Sequence, residues 1–147
     1  MFNLIHATDN ALTGAWLARD IPRWLTIWLV GTVALAIGSF LNVVIWRLPQ
    51  GKSLINPSSS FCPNCLHSLH GIDLIPLLSF LMQGGKCRYC KQPISWRYFN
   101  VELLTGLTFL VITYRFWQTP TNCIALLLFS AVMISIFFTD LDTFTIP

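Results

Sequence analysis

Apolar residues along the chain fall into three blocks. The first runs from Trp24 to Trp46, which is 23 residues without a charge, and tryptophans stand at both of its ends. The second runs from Val101 to Trp117 and the third from Cys123 to Thr139. Because about 20 apolar residues in a helix cross the roughly 30 Å hydrocarbon core of a bilayer, the pattern predicts three transmembrane helices, at 24–46, 101–117 and 123–139.

The turn between the second and third blocks, residues 118–122, is short. Pro120 in this turn is expected to break the helix, so the two blocks are predicted to form a helical hairpin. The first 23 residues are polar and mixed, without the apolar core and small-residue cleavage site of a signal peptide.

Most of the basic residues lie in the polar stretch 47–100, which carries six of the nine in the chain and one acid, Asp73. By the positive-inside rule this loop is predicted to be cytoplasmic. Segments 1–23 and 118–122 would then be periplasmic, and 140–147 would begin a further cytoplasmic segment.

Composition supports a membrane protein, because 54% of the residues are hydrophobic and 10% are charged, against about 25% charged in soluble domains. The net charge of +3, without a basic run, argues against a nucleic-acid partner. We expect an all-α polytopic fold in a lipid bilayer.

Two Cys-x-x-Cys knuckles, Cys62–Cys65 and Cys87–Cys90, lie in the polar loop. Four thiolates spaced in this way can enclose a tetrahedral Zn²⁺ ion, and a closed site of this type is structural. Disulfides in an oxidising compartment are the alternative. The paired spacing, with Cys123 left over inside an apolar block, favours a metal in a reducing compartment.

Two features of the loop allow two interpretations each. His67 and His70 could replace a cysteine as metal ligands, or they could be ordinary solvent-facing side chains. Leu74–Met82 is apolar but too short to span a bilayer. It could pack beneath the metal unit as a short helix or turn, or it could lie against the membrane surface.

Asp140 and Asp142 follow the third block. Carboxylates at membrane depth are costly and often functional, and aspartic peptidases use two that share a proton, but acids beside a span are also ordinary solvated flanks. Residues i and i+2 do not face one another on a helix, so Asp140 would need another acid as its partner. Glu102 is the only other one at membrane depth, unless it merely complements the helix dipole.

The end of the first block carries residues suited to contacts between helices. Gly38 and Ser39 permit close approach, and Asn42 can hydrogen-bond across helices. Arg47 is long enough to reach lipid phosphates.

Taken together, the chain resembles the type IV prepilin peptidases, which are bifunctional prepilin leader peptidases and N-methyltransferases of pilus and type II secretion systems. Four segments carry the resemblance in the family's order. They are Gly38–Pro49, the two cysteine knuckles, Pro93–Tyr98 with residues 101–106, and Asp140–Pro147.

The resemblance implies a polytopic aspartic peptidase of the bacterial inner membrane, which cuts prepilins or pseudopilins at the cytoplasmic face and methylates the new N-terminus with S-adenosylmethionine. Asp140 begins an Asp-Leu-x-x-x-x-Ile-Pro pattern that marks the family's first catalytic aspartate. The family's second aspartate lies in a Gly-x-Gly-Asp motif that the 147 residues do not contain.

This difference leads us to expect an N-terminal portion without peptidase activity of its own, either a truncated or frameshifted gene product or half of a split enzyme. No Gly-rich nucleotide loop identifies the residues that bind S-adenosylmethionine. The alternatives are an inactive or non-catalytic zinc-ribbon membrane module of pilus or type II secretion assembly, and a zinc-ribbon membrane protein of unrelated role.

Overall fold

The computed structural model describes residues 22–55, 60–62, 64–117 and 119–143. The described ranges form α1 (Arg23–Arg47), α2 (Leu78–Met82), α3 (Trp96–Phe116) and α4 (Pro120–Thr143), with short 3₁₀ turns at Leu48–Gln50 and Gly71–Leu74. They contain two isolated β-bridges and no named strand. The predicted segment 1–23 lies almost wholly outside these residues, as do the last four residues of 140–147.

The three long helices pack against one another, with the largest contact between α1 and α3. Near the end of the bundle that faces the polar loop they enclose an apolar core. Its members come from all three helices and are Leu41, Ile45, Val101, Ile134 and Phe138. The mostly helical prediction is therefore confirmed for the described residues.

Glycines allow α1 and α3 to approach closely. A Cβ atom on Gly38 would lie 2.9 Å from the Glu102 Cα and 3.2 Å from the Thr105 Cβ, and one on Gly106 would lie 3.0 Å from the Leu35 Cδ2. Asn42 Nδ2 also donates to the Tyr98 carbonyl at 3.1 Å. The sequence-based expectation of close packing at Gly38 and a cross-helix hydrogen bond from Asn42 is confirmed.

The outer surface of the bundle is apolar, with exposed side chains such as Trp28, Val111 and Phe129. Two segments, Trp24–Gln50 and Pro120–Thr143, are long and apolar enough to cross a membrane. The third predicted span is not confirmed. Helix α3 is long enough, but Asn100, Glu102 and Arg115 dilute its apolar character.

The helices extend beyond the predicted membrane spans. Helix α3 begins at Trp96, before the predicted span at 101–117, because Ser95 caps it by accepting a hydrogen bond from the Arg97 N–H at 3.3 Å. Helix α3 ends at Phe116 and contacts α4, as predicted for a helical hairpin. Pro120 is the first residue of α4, a position that does not require an N–H donor. The same helix continues to Thr143, so Asp140 and Asp142 are helical.

The apolar stretch Leu74–Met82 contains the end of a 3₁₀ turn and α2. Phe80 is buried against Trp96 and Phe99, with ring centroids 5.0 and 5.5 Å away. The structure therefore supports packing of this segment through Phe80. Leu81 and Met82 of the same segment are exposed.

Candidate metal centre and the adjoining cavity

The two cysteine knuckles have the same backbone hydrogen bonds, 25 positions apart. The Cys62 N–H donates to the His67 carbonyl at 3.0 Å, and the Cys87 N–H donates to the Gln92 carbonyl at 2.8 Å. A β-bridge closes each knuckle, pairing Phe61 with Ser68 and Lys86 with Pro93. The loop is thus a duplicated knuckle, which we call the knuckle unit (residues 60–95).

Each knuckle contains a non-glycine residue in the left-handed region, Leu66 with φ of 57° and Lys91 with φ of 60°. Their N–H groups donate to the Cys62 and Cys87 carbonyls at 2.9 and 3.0 Å. A residue with a Cβ atom costs about 1–2 kcal/mol in this conformation. The tight turn that brings two thiols together therefore carries local strain.

The four knuckle sulfurs form one cluster. The ligand atoms of Cys62, Cys65, Cys87 and Cys90 all lie within 4.8 Å of one another, and the Cys62 and Cys90 sulfurs are 3.8 Å apart. Four thiolates at the usual Zn–S distance of about 2.3 Å would be about 3.8 Å apart in a regular tetrahedron. The donor type and spacing therefore fit a zinc ion, and the cluster could hold a metal.

The thiols of this cluster differ in acidity. The pKa of Cys87 is lowered to about 7, chiefly because the Cys90 backbone N–H donates to it, while burial acts in the opposite direction. The Gln92 backbone N–H lowers the pKa of Cys90, but burial and hydrogen bonds with the neighbouring thiols together raise it to about 11. A metal must displace the remaining protons, so its affinity should increase with pH.

The alternatives to a four-thiolate site find no support in the described residues. All five cysteines are free thiols. His67 and His70 are exposed and outside the sulfur cluster. The His67 ring lies 3.7 Å from the ring of Tyr89, measured between centroids, so this histidine joins the first knuckle to the second.

Asp73, noted in the sequence only for its charge, is the polar centre of the knuckle unit. Its side chain is 3% exposed and accepts a hydrogen bond from the Arg88 Nε at 2.9 Å. The Tyr89 hydroxyl donates to it at 3.2 Å and the Gln83 amide at 3.4 Å. Asp73 thus ties the 3₁₀ turn to α2 and the second knuckle, which a sequence without contact information could not reveal.

Glu102 attaches the knuckle unit to the helices. It is buried, and its carboxylate accepts a hydrogen bond from the Leu77 N–H at 2.8 Å. Leu77 has φ of 60°, so this bond holds a strained residue directly before α2. The alternative of a helix-dipole acid was wrong, because α3 begins at Trp96 and Glu102 lies beyond its first turn.

A cavity of about 490 Å³ lies between the knuckle unit and the ends of the helices. Glu102, Arg97 and Asp142 are among its lining residues. Asp142 forms a salt bridge with Arg97, whereas Asp140 is exposed and is not among the lining residues. The structure therefore separates the two aspartates, as expected for residues two apart on a helix.

Arg47 does not extend towards lipid phosphates as the sequence had suggested. It is buried, and its Nη1 donates to the carbonyls of Ser53 and Leu54 at 3.2 and 3.3 Å. These hydrogen bonds hold the segment that follows α1 against the end of that helix.

One family model covers both the knuckle unit and parts of the helices that support it. Residues 32–116 match the model of the bacterial peptidase A24 N-terminal domain. The chain belongs to this family. The matched region contains both knuckles, the Gly38–Glu102 contact and most of α1 and α3, so the polar loop and its helical support lie within one family domain.

Curated proteins that are similar to this chain are named as prepilin-processing enzymes. The prepilin leader peptidase/N-methyltransferase of Myxococcus xanthus is 46% identical, with 78% of this chain and 34% of the relative covered. The protein of the same name from Aeromonas hydrophila is 38% identical, with 89% and 52% covered. The type 4 prepilin-like proteins leader peptide-processing enzyme of Escherichia coli is 40% identical, with 77% and 48% covered.

The chain therefore spans about a third to a half of the length of these relatives. No solved structure matches it. The predicted membership of the prepilin peptidase family is confirmed.

Proposed function

We propose that this chain forms the N-terminal part of a prepilin leader peptidase/N-methyltransferase of the bacterial inner membrane. The main support for the proposal is the four-thiol cluster, which lies within a region that matches the A24 family. Glu102 connects the knuckle unit that holds this cluster to the helices. A closed four-cysteine zinc site would have no open position for water. Its role would be to shape the surface that receives the substrate.

The proposed topology has three spans, with the knuckle unit in the cytoplasm. Helix α3 packs against both α1 and α4, which are long and apolar enough to span, and its outer face exposes Leu107 and Val111. Exposed Lys52, Lys86 and Arg88 keep the loop basic. This charge bias favours the cytoplasmic side, where prepilins or pseudopilins would be cut.

Asp140 is proposed as one of two catalytic aspartates. In an aspartic pair one carboxylate accepts a proton from water while the other stays protonated. Asp142 is a poor partner because it faces away from Asp140 and pairs with Arg97. We propose that the second aspartate comes from a segment or chain not represented in these 147 residues. S-adenosylmethionine would supply the methyl group for the amine released by cleavage.

Co-expression with the C-terminal half of a relative tests this proposal. The 147-residue chain alone should leave a prepilin uncut, and addition of the C-terminal half should restore cleavage. Asp140→Asn should then abolish cleavage, while the matched change Asp142→Asn should preserve most of it. Cleavage by the chain alone, or full activity of the Asp140→Asn variant, would contradict the assignment.

A non-catalytic membrane module is the second candidate, favoured by the exposure of Asp140 away from the cavity. In that case the knuckle unit would only bind a pilus or secretion partner. The same experiment separates the two functions, because a module would show no cleavage in any combination.

A further inference from the structure

Residues 72–82 of the knuckle unit expose their apolar side chains and bury a charged one, which is unusual for a loop in water. The side chain of Asp73 is 3% exposed. Five apolar side chains of the same segment are exposed, and all but one of them keep more than half of their surface accessible. They are Ile72, Ile75, Leu78, Leu81 and Met82. A contiguous exposed apolar surface of this kind marks a contact with another molecule or with a membrane.

The inner side of this segment is already occupied. Phe80 packs against the rings of Trp96 and Phe99, and Asp73 and Ser79 are among the residues that line the cavity of about 490 Å³. Turning the segment to bury its apolar side would expose Phe80 and break the contacts of Asp73. The five apolar side chains therefore require cover from outside the described part of the chain.

The segment is attached to α3 where the predicted span begins, at residue 101. Glu102, one residue into that span, accepts the hydrogen bond from the Leu77 N–H at 2.8 Å. Further along α3, Leu107 is exposed on the apolar outer surface of the bundle. Trp96, before the span, is exposed as well, and tryptophan favours the boundary between lipid and water. The segment therefore adjoins the level at which the lipid-facing surface of α3 begins.

The charge of the polar loop complements an anionic membrane surface. Residues 47–100 contain six basic residues and a single acid, Asp73, which is buried and paired with Arg88. Lys86 and Lys91 follow the apolar segment and are exposed. Apolar side chains next to lysines, without an exposed acid, are the composition of a surface that binds anionic lipids.

We propose that residues 72–82 lie in the headgroup region of the adjoining anionic leaflet and anchor the knuckle unit to the membrane surface. The proposal rests on the proposed topology, in which α3 crosses the bilayer. It adds a contact with lipid that does not span the membrane. Because the inner side of the segment lines the cavity, the segment would separate the cavity from the lipid.

Photocrosslinking of the 147-residue chain in nanodiscs of phosphatidylethanolamine and phosphatidylglycerol tests this contact. Benzoylphenylalanine in place of Leu81 should form adducts with lipid. The same probe in place of Leu66, an exposed leucine of the first knuckle, is the matched control and should give a several-fold lower yield. Equal yields at the two positions, or adducts of the Leu81 probe with a second copy of the chain, would overturn the proposal.

A third probe, in place of the exposed Leu107 of α3, separates this proposal from the topology on which it rests. Lipid adducts at 107 without adducts at 81 would overturn the surface contact and leave the span. Lipid adducts at 81 without adducts at 107 would overturn the span and leave the surface contact. Adducts at neither position would overturn both.

The complex with the C-terminal half of a relative tests a protein as the occupant. Lipid adducts of the Leu81 probe should persist in this complex. Their replacement by adducts with the C-terminal half would show that a protein segment covers the apolar side, and would overturn the proposal. Because adduct formation does not require cleavage, this result is independent of the role of Asp140.

Matched serine variants test the contribution of the apolar side chains. In the parent chain, hydrogen exchange across residues 75–83 should slow several-fold when phosphatidylglycerol replaces phosphatidylcholine in the nanodisc, because lipid contact opposes local opening. Leu78→Ser combined with Leu81→Ser should lose this lipid dependence, and Leu66→Ser should keep it. Metal content and thermal unfolding verify that the variants fold. Exchange that does not respond to lipid in the parent, or an equal response in the double variant, would contradict the proposed contact.

Discussion

The helix bundle and the knuckle unit are stabilised in different ways. The bundle buries small and apolar residues such as Ala34 and Val101 and turns large apolar side chains outwards, as expected for a lipid-facing structure. The described part of the knuckle unit buries few apolar residues, namely Phe80 with Cys62 and Cys87. It depends on thiols, turns and the Asp73 contacts, so loss of the metal should affect it far more than the helices.

The largest expected effect therefore follows from removal of one sulfur ligand. Cys87→Ser should abolish metal binding and unfold the knuckle unit, because structural zinc contributes on the order of 10 kcal/mol to small domains. Hydrogen exchange should lose protection across residues 60–93 and retain it in α1 and α4. Cys123→Ser, in the apolar α4, is the control and should leave metal content unchanged. Protected knuckle amides in the metal-free variant would contradict this account.

A steric change in the helix bundle should destabilise the helices more than the knuckle unit. Gly38→Ala would place a Cβ atom 2.9 Å from the Glu102 backbone and should lower the free energy of unfolding by about 2 kcal/mol through overpacking. Gly31→Ala is the matched control, since its nearest contact would be Leu110 at 3.9 Å. Denaturant titration in micelles measures both variants. Equal midpoints for the two would show that the helices do not require a glycine at position 38.

The junction between the two regions depends on Glu102. Glu102→Ala removes the acceptor for the Leu77 N–H and should cost about 2 kcal/mol, the usual penalty for leaving a buried donor unpaired. Glu102→Gln retains an acceptor oxygen for the Leu77 N–H and should lose less stability than Glu102→Ala. Hydrogen exchange at residues 77–82 should increase in the alanine variant while metal content stays near one per chain. Unchanged exchange there would mean that Glu102 does not hold the segment.

The smallest effect concerns the strained knuckle turns. Lys91→Gly removes a Cβ atom at φ of 60° and should stabilise the knuckle unit by about 1 kcal/mol. Lys86→Gly is the matched control, because Lys86 does not have a positive φ, and it should not stabilise the knuckle unit. Competition with a zinc chelator measures the difference. A gain of the same size at Lys86 would attribute the effect to charge instead of backbone strain.

The sequence predicted the features that depend on local pattern. The two knuckles, the apolar blocks and the tight approach at Gly38 could be recognised because residue type and spacing alone determine them. The hydrogen bond from the Leu77 N–H to Glu102 and the three contacts of Asp73 with Gln83, Arg88 and Tyr89 could not, because they join residues 25 and up to 16 positions apart. The family's sequence motifs located Asp140, but only the structure showed that Asp142 is the aspartate at the cavity.

X-ray absorption at the zinc edge of the purified, metal-loaded chain tests the central claim most directly. The account predicts one zinc per chain with four sulfur ligands at about 2.3 Å and no nitrogen or oxygen ligand. A histidine in the coordination shell, or disulfide-bonded chain without zinc, would contradict it.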